Sequence, residues 1–315
     1  MNPTVLRKQV WRVIAVLALL YVSGCVLAGI YLAEQTLHYP RQLVDASMWQ
    51  AARDAAQTYS ATLSEVSITA QDGTPLRAWF FQSEKPNGNA VLLLHGYTNN
   101  RAAMLTHAQI FLAAGYSVLI PDSRGHGSSG GDTATFGLLE AEDIHRWVTS
   151  LIETAHPRCV YALASSMGSA QLVMSLAVEM RFCAVIAEST YATFREVSFS
   201  RLGVFFHMRP WLGRTVLRLS VETALLYSRM RYGVDLTRAN PIEAIGSTRV
   251  PTLLIHGSDD RLVPPRNSEL LHAANPAATM VWIVPGVWHG ATILLKRAEF
   301  DRRVLEWFAT HSTPP

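Results

Sequence analysis

The sequence contains little charge and few cysteines, and both shortages exclude classes of protein. Charged residues make up 16% of the 315 positions, whereas hydrophobic residues make up 49%. Disordered chains combine low hydrophobicity with high charge, so this composition excludes disorder. The cysteines, Cys25, Cys159 and Cys183, lie far apart and predict neither a zinc site nor a disulfide scaffold. We therefore expect a globular protein with no bound metal and no other cofactor.

A second long apolar run and a strong net charge are also missing. Because only one uncharged stretch is long enough to cross a bilayer, the sequence excludes a polytopic membrane protein. The formal net charge of +3 is too small to indicate nucleic acid as a partner. The length permits one large α/β domain, and composition leaves the oligomeric state open.

The one long apolar run lies close to the N-terminus. Residues 13–33 are 21 consecutive uncharged positions, which as a helix would extend about 31 Å and span the hydrocarbon layer. Arg7, Lys8 and Arg12 precede this run. By the positive-inside rule, we expect residues 1–12 to be a cytoplasmic leader and residues 13–33 a single-pass transmembrane anchor. The rest of the chain would then lie on the extracytoplasmic side.

Two other interpretations of this segment remain open. Val22-Ser23-Gly24-Cys25 resembles a bacterial lipoprotein cleavage box, which would leave the mature chain attached through a lipidated Cys25. A cleaved secretory signal is the third possibility. The apolar run continues for eight residues beyond Cys25, which favours the uncleaved anchor.

The chain after the anchor alternates between strand and helix patterns. From Leu63 the residues alternate with period two, and the turn-forming Asp72-Gly73 precedes a second run, which predicts a β-hairpin. Buried-strand patterns then alternate with helical ones, at residues 90–94, 116–120, 159–163, 184–187, 252–255 and 280–284. This order predicts an α/β fold with a mainly parallel sheet covered by helices on both faces.

The same patterns predict the domain organisation. We expect residues 34–60 to form a stalk, and residues 61–188 and 246–312 to form the two parts of the α/β core. Residues 189–245 interrupt the alternation and predict a helical cap, with one long helix at residues 212–230. The cap contains several aromatic residues, among them Trp211, and eight arginines against four acidic residues. It therefore forms either a surface that docks on anionic lipid beside the anchor or an ordinary solvated arginine face.

One short motif points to nucleophilic chemistry. Ala164-Ser165-Ser166-Met167-Gly168 follows an apolar strand and precedes a helical pattern, and it resembles the nucleophile elbow Gly-x-Ser-x-Gly. A serine at such a tight strand-to-helix turn needs small residues two positions before and after it. Only Ser166 has both, so we expect Ser166 to be the nucleophile.

Four further motifs end predicted strands or precede the last helix. They are His95-Gly96-Tyr97, Asp122 to Ser128, His256 to Pro264, and Pro285 to Gly290. Together with the elbow they resemble the α/β-hydrolase superfamily over residues 63–310, especially serine aminopeptidase and monoacylglycerol-lipase-like proteins. The resemblance implies that His289 is the general base and that Asp260 is the acid that orients it, with Asp259 as the main alternative. Glu188 is a further alternative acid.

The remaining roles follow from the chemistry and from the same resemblance. A tetrahedral oxyanion needs preorganised donors, and we expect the backbone N–H groups of Tyr97 and Met167 to supply them. His95 and His256 are interpreted as packed turn histidines, and Asp122, Arg124 and His126 as parts of a structural loop. Cys159 and Cys183 lie on neighbouring strands and could pair in an oxidising compartment. We expect buried free thiols instead, because adjacent parallel strands seldom suit a disulfide.

The resulting hypothesis is a membrane-tethered serine hydrolase that cleaves small-molecule carboxylic esters through an acyl-serine intermediate. A serine aminopeptidase or an acyltransferase would use the same three residues, because fold and triad do not choose between these reactions. A non-catalytic binding protein that retains the fold is the alternative from another class.

Overall fold

The structure is a computed structural model that describes residues 3–208 and 210–314. Side-chain positions of residues 210–212, including that of the predicted cap residue Trp211, lie outside the described part. Within the described residues, eight strands form a single sheet in the order β1-β2-β4-β3-β5-β6-β7-β8. The strands are β1 (Ala61–Thr69), β2 (Pro75–Ser83), β3 (Asn89–Leu94), β4 (Ser117–Pro121), β5 (Cys159–Ser165), β6 (Phe182–Glu188), β7 (Thr252–Gly257) and β8 (Thr279–Val284).

The sheet has the predicted mixed pattern. Strands β1 and β2 form an antiparallel hairpin, and β2 also pairs antiparallel with β4. Strands β3 to β8 all run parallel to one another, so the antiparallel pairings are those of β2 with β1 and with β4. The turn of the hairpin contains Gly73, whose φ of +84° is readily adopted only by glycine. This confirms the expected hairpin followed by a parallel sheet.

Helices surround this sheet and form the cap. They are α1 (Pro3–Leu37), α2 (Ala46–Thr58), α3 (Leu105–Ala113), α4 (Glu140–Ala155), α5 (Met167–Ser175), α6 (Phe194–Phe205), α7 (Pro210–Val216), α8 (Arg218–Tyr232), α9 (Pro241–Ser247), α10 (Arg266–Ala274), α11 (Thr292–Leu295) and α12 (Arg297–Thr310). Short 3-10 helices occupy Arg101–Met104 and Leu236–Arg238.

Both faces of the sheet are buried, as the apolar strand patterns predict. In β2, Trp79 and Phe81 belong to the apolar core shared with α2, α3 and α12. The alternate residues Ala78 and Phe80 belong to the core on the opposite face, shared with α4 and α5. Because successive side chains of a strand point to opposite faces, a continuously apolar strand requires cover on both sides.

The first helix is longer than the predicted anchor. It extends from Pro3 to Leu37 and so includes much of the expected leader and four residues beyond the apolar run. It is long and apolar enough to cross a membrane. Its buried residues, Cys25, Gly29, Ala33 and Leu37, recur every four positions and therefore form one stripe along the helix.

This stripe packs against the cap helix α8. The contact is close at Gly29, where an added Cβ atom would lie 2.6 Å from the Ser220 carbonyl oxygen and from Thr223 Cβ. Farther toward the N-terminus, the Tyr21 hydroxyl donates to the Val216 carbonyl at 2.8 Å. Helix α1 and the cap are therefore one packed unit over the second half of α1.

The prediction that residues 34–60 form a stalk is wrong, because much of this segment packs against the sheet. Helix α2 begins after Asp45, whose carboxylate accepts a hydrogen bond from the Met48 N–H at 2.9 Å and caps the helix. Ala52 and Ala56 of α2 are buried in the core beside the sheet, and the Trp49 ring lies 5.1 Å from that of Trp79. The alanine-rich pattern predicted a helix but did not show that the helix covers the sheet.

The predicted long cap helix is divided in two. Helix α7 ends at Val216 and α8 begins at Arg218. At this break the Val216 carbonyl has a partner outside the cap, because it accepts the hydrogen bond from the Tyr21 hydroxyl of α1. The last part of the predicted cap, α9, contributes Ile245 to a small core with Leu254 and Leu271. It therefore belongs to the helices that flank the sheet.

Cys159 and Cys183 form a disulfide, which corrects the expected free thiols. Val160 pairs with Phe182 whereas Tyr161 pairs with Ala184, so Cys183 is an extra residue in β6. This irregularity brings the two Cα atoms to 5.7 Å, within the usual range for a disulfide. Regular parallel pairing would not have placed the two side chains together.

Candidate active site

Ser166 lies at the predicted turn between β5 and α5. Its φ of +55° and ψ of −117° are unusual for a residue with a side chain, and they project the hydroxyl out of the turn. The strained conformation is held from the next strand, because the Ser166 N–H donates to the Glu188 carbonyl at 2.9 Å. The sequence motif therefore predicted the local geometry of the turn.

The small residues around Ser166 have steric reasons. An added Cβ atom at Gly168 would lie 2.5 Å from the His95 carbonyl oxygen, so only glycine lets α5 approach the end of β3. At Gly96 an added Cβ would lie 3.4 Å from Ser166 Cβ, which leaves little room beside the hydroxyl. Ala164 is fully buried within β5 and is accommodated despite its methyl group.

His289 lies between the hydroxyl of Ser166 and the carboxylate of Asp260. Its Nε2 atom is 2.7 Å from Ser166 Oγ, and its Nδ1 atom is 2.7 Å from Asp260 Oδ2. An ionised carboxylate only accepts hydrogen bonds, so Nδ1 carries the proton and Nε2 accepts from the serine hydroxyl. Ser166, His289 and Asp260, which were predicted from separate motifs, are thus joined in a chain of hydrogen bonds with His289 in the middle.

Asp260 is buried, and its carboxylate is hydrogen-bonded to protein groups. Its Oδ1 accepts hydrogen bonds from the N–H groups of Leu262 and Val263 at 3.0 and 2.8 Å. Burial opposes ionisation, but hydrogen bonds from His256 and His289 outweigh it and lower the pKa of Asp260 to about 2. The Asp260 carboxylate therefore stays charged at any pH well above 2, and can orient the His289 imidazole throughout that range.

The alternative acids do not contact His289. Asp259 is exposed and accepts a hydrogen bond from the Ser258 hydroxyl at 2.8 Å. Glu188 is fully buried, and its Oε1 accepts from the Thr292 N–H at 3.1 Å, at the start of α11. Burial raises the pKa of Glu188, so its protonated form is favoured more than that of an ordinary glutamate. Both carboxyls therefore support the loops near the site.

His256 has a closer relation to the site than the sequence indicated. It is fully buried, and its Nε2 donates to the Val263 carbonyl at 2.7 Å while lying 3.3 Å from Asp260 Oδ2. Its Nδ1 is 2.7 Å from the Ser268 hydroxyl. The only signal in the sequence was its position four residues before Asp260. It is a packed histidine, as expected, but it also holds the acidic residue in place.

The expected structural loop after β4 is heavily hydrogen-bonded. Asp122 accepts from the N–H groups of Arg101 and Ser128 at 2.7 and 2.8 Å. The Arg124 guanidinium forms two hydrogen bonds of 2.7 Å with Asp143. His95, also predicted to be packed, accepts from the Ser123 N–H through Nε2 at 3.1 Å. These contacts fix the loop that lies beside the end of β3.

The two expected oxyanion donors follow adjacent strands of the sheet. Met167 is the first residue of α5, where backbone N–H groups have no intrahelical partner. Tyr97 lies after β3, next to the Gly96 that approaches Ser166. Within residues 3–208 and 210–314, neither N–H donates to another protein group in the structure. Both are therefore free to bind an oxygen atom of a ligand.

The described residues also differ from the ligand sets that hold metal ions. Among the described residues, no group of three or more His, Cys, Asp or Glu side chains is placed to hold a metal ion. A serine hydroxyl bonded to an imidazole, which is itself bonded to a buried carboxylate, can instead be deprotonated during attack on a carbonyl carbon.

Comparison with known proteins agrees with this fold. Residues 91–303, about two thirds of the chain, match the model of the alpha/beta hydrolase family. The chain belongs to the α/β-hydrolase family. The sheet order, with an antiparallel hairpin before parallel strands and a serine turn after β5, is the architecture that the motifs had indicated.

Relatives of this α/β hydrolase include both uncharacterized proteins and enzymes. The uncharacterized protein YqkD of Bacillus subtilis (strain 168) is 26% identical over 223 residues, 70% of each chain. The thermostable monoacylglycerol lipase of Bacillus sp. (strain H-257) is 23% identical over 245 residues, 74% of this chain and 94% of the lipase. The relatives support a hydrolase activity for this chain.

Solved structures share the fold. The Pyrococcus furiosus esterase Pf2001 has a TM-score of 0.70 at 23% identity, covering 87% of this chain and 98% of the esterase. The acylaminoacyl peptidase of Pyrococcus horikoshii has a TM-score of 0.61 at 17% identity, covering 81% of this chain and 42% of the peptidase. At these identities the likeness shows a common fold and no common substrate.

Proposed function

We propose that this α/β hydrolase is a serine hydrolase that cleaves carboxylic esters of small molecules, with Ser166 as nucleophile. The observation that supports this most directly is the pair of 2.7 Å hydrogen bonds that join Ser166, His289 and Asp260. Ser166 Oγ attacks the acyl carbon while His289 Nε2 takes its proton. Asp260 stabilises the imidazolium that forms, because its carboxylate stays ionised.

The rest of the reaction follows from the same geometry. The carbonyl oxygen becomes an oxyanion, which the N–H groups of Tyr97 and Met167 stabilise. Collapse of the intermediate breaks the ester bond, and His289 gives its proton to the leaving alcohol. Water then attacks the acyl-serine, again losing its proton to His289, and the carboxylic acid leaves as Ser166 recovers its proton.

Covalent labelling tests the assigned nucleophile. A fluorophosphonate probe reacts with an activated serine, so we expect it to label the wild-type protein and not Ser166→Ala. The matched control is Ser165→Ala, which removes the neighbouring hydroxyl of the same turn and should keep its labelling. Equal labelling of Ser166→Ala would contradict the assignment.

A substrate panel separates ester cleavage from the other reactions open to this triad. We expect the wild type to hydrolyse short-chain esters faster than thioesters or aminoacyl amides of the same acyl group. The monoacylglycerol lipase among the relatives supports an ester, since that is the bond its printed name describes. Fluorophosphonate labelling without turnover of any substrate would indicate a protein that retains the fold but acts by binding.

We also propose that α1 anchors the enzyme in a membrane with the hydrolase domain on the extracytoplasmic side. The helix is long enough to span a bilayer, and Arg7, Lys8 and Arg12 lie at its N-terminal end. The Cys159–Cys183 disulfide supports this side, because disulfides persist in oxidising compartments. Mass spectrometry should find an intact N-terminal peptide, whereas a chain that begins at a lipidated Cys25 would contradict an uncleaved anchor.

The contact between α1 and the cap supports a cap that inserts into the membrane beside α1. If residues 13–33 fill the hydrocarbon layer, Val216 lies within the depth of that layer, because its carbonyl is bonded to Tyr21. Phe205 and Phe206, at the end of the cap helix α6, are 73% and 49% exposed, which suits burial among lipids. A spin label on Phe205→Cys should therefore be reached by oxygen and shielded from a water-soluble relaxant in liposomes. A label on Lys85→Cys, an exposed residue just before β3 and so at the opposite end of the parallel strands from Ser166, is the control.

A further inference from the structure

The last turn of α1 is capped by a side chain of the candidate oxyanion loop. The final carbonyl groups of a helix have no intrahelical partner and need other donors. The single proton of the Tyr97 hydroxyl is shared between the carbonyls of Gln35 and Thr36, which lie 2.9 and 3.1 Å from the hydroxyl oxygen. The next carbonyl, that of Leu37, accepts from the Ala134 N–H at 3.0 Å. The end of the N-terminal helix is therefore bonded to two loops of the hydrolase domain.

The side chain of Leu37 lies in the same apolar cluster as the other candidate donor. It is 1% exposed and belongs to a buried apolar cluster that also contains Phe136, Met167 and Phe194. Met167 supplies the second expected oxyanion N–H. Both residues of the proposed oxyanion site therefore belong to, or pack against, the apolar cluster that contains Leu37 of α1.

The same helix end is held by the cap on its other side. Glu34 Oε1 accepts hydrogen bonds from the hydroxyls of Tyr227 and Tyr232 in α8, at 2.7 and 2.6 Å. One turn earlier, Gly29 permits the close approach of Ser220 and Thr223 described above. These contacts give the end of α1 little freedom to move relative to the cap.

The loop that carries Tyr97 needs such support. Its next residue, Thr98, has a φ of +69°, a conformation that costs free energy for a residue with a β-branched side chain. Within the loop, the Asn99 N–H is 3.4 Å from the Gly96 carbonyl oxygen, which is a long hydrogen bond. His95 Nδ1 lies 2.8 Å from the Gly96 carbonyl oxygen and Asn100 Nδ2 donates to the Gln42 carbonyl at 3.0 Å, so the loop is held at both ends. Between these two points, the side-chain contacts of Tyr97 are what tie the loop to α1.

We propose that residues 35–37 of α1 position the oxyanion loop through the Tyr97 hydroxyl, so that the N-terminal helix is part of the active site as well as an anchor. Oxyanion donors act only when they lie about 3 Å from the developing charge, and small displacements of catalytic groups are costly. The Tyr97 side chain acts here by positioning the loop, whereas the Tyr97 backbone N–H would bind the oxyanion. The inference rests on the proposed serine hydrolase mechanism.

The hydroxyl is a suitable permanent donor. Burial raises the pKa of Tyr97 to about 12, so the hydroxyl keeps its proton at any pH at which the enzyme would work. The ring is fixed separately, by the Arg201 guanidinium 5.0 Å from its centroid and by Phe136 at 5.6 Å. Replacing tyrosine with phenylalanine therefore removes this shared hydrogen bond and keeps the ring contacts.

The test compares two tyrosines of the full-length protein in detergent. Tyr97→Phe should lower kcat for a short, soluble ester about tenfold and leave KM nearly unchanged, because the oxyanion forms only in the transition state. Tyr21→Phe is the matched control, since it removes a hydroxyl that also donates to a backbone carbonyl between α1 and another element. It should leave both constants unchanged.

A second pair of variants separates positioning from stability. Leu37→Ala should lower kcat, and Leu37→Met, which restores the buried volume, should recover it. If kcat is unchanged in Tyr97→Phe and Leu37→Ala, or falls only in proportion to Tm, the proposal is wrong. A wild-type protein that hydrolyses no ester would refute the proposed function and this inference with it. A difference between the two tyrosine variants in an active enzyme tests the inference alone.

Discussion

Asp260 Oδ2 lies 2.7 Å from His289 Nδ1, whereas its neighbour Asp259 is exposed and bonded to Ser258. The two carboxylates are adjacent in the sequence, yet only one reaches the imidazole. This difference follows from the turn after β7, in which the N–H groups of Leu262 and Val263 hold the Asp260 carboxylate inward.

Replacing each of these acids in turn should give very different enzymes. Asp260→Asn should lower kcat for ester hydrolysis by about 10³- to 10⁴-fold, because an amide no longer fixes the tautomer of His289 or stabilises its charge. Asp259→Asn should change kcat less than about twofold. Steady-state kinetics on one soluble ester measures both, and comparable losses in the two variants would mean that the acid is misassigned.

Adding a methyl group should destabilise the protein at Gly168 and not at Gly246. An added Cβ at Gly168 meets the backbone oxygens of His95 and Leu94 at 2.5 and 2.7 Å, so Gly168→Ala should cost about 1–3 kcal/mol or more. Gly246 has no atom within 4 Å of the added Cβ and lies in α9. Gly246→Ala should therefore gain up to about 1 kcal/mol. Thermal unfolding in detergent measures both, and a harmless Gly168→Ala would contradict the close approach.

The disulfide predicts how many thiols react with an alkylating reagent. Protein denatured without reductant should take up one group, at Cys25, and three after reduction. The Cys159–Cys183 bond closes a sequence separation of 24 residues, so its loss should cost about 3 kcal/mol. Intact-mass spectrometry counts the groups, with Cys25→Ser as the control that should take up none before reduction. Three groups without reduction would contradict the bond.

His107 should make the protein less stable in mild acid. It is 6% exposed, its ring nitrogens have no partner among the described residues, and burial lowers its pKa from 6.5 to about 4. Below pH 6.5 the unfolded chain binds a proton that the folded chain does not bind until about pH 4. The stability is therefore full above pH 6.5 and falls as the pH decreases toward 4, by about 2 kcal/mol at pH 5.

His107→Leu removes this titration without breaking a hydrogen bond. We expect the variant to raise the free energy of unfolding more at pH 5 than at pH 8, as measured by Tm in detergent at the two values. The same shift at both values would show that His107 does not titrate on unfolding. His95, whose pKa is lowered to about 3 by burial and by His126, acts in the same direction. It should leave a residual pH dependence in the variant.

The sequence by itself determined the features that depend on local pattern. The hairpin, the buried strands and the Ser166 turn could be predicted because strand alternation, glycine and small residues leave a signature within a few positions. The elbow motif and the resemblance of the other motifs to α/β hydrolases also indicated Ser166, His289 and Asp260, with Asp259 and Glu188 left as alternative acids.

Only the tertiary structure decided which distant groups meet. Ser166 and His289 are 123 residues apart, and their hydrogen bond depends on how the sheet aligns the ends of its strands. The disulfide depends on one extra residue in β6, and the expected stalk became a packed helix because the sheet offered an uncovered face. The bonds from Tyr97 to the end of α1 join segments 61 and 62 residues apart. Such contacts are set by the register and packing of whole elements, which leave no signature in a short stretch of sequence.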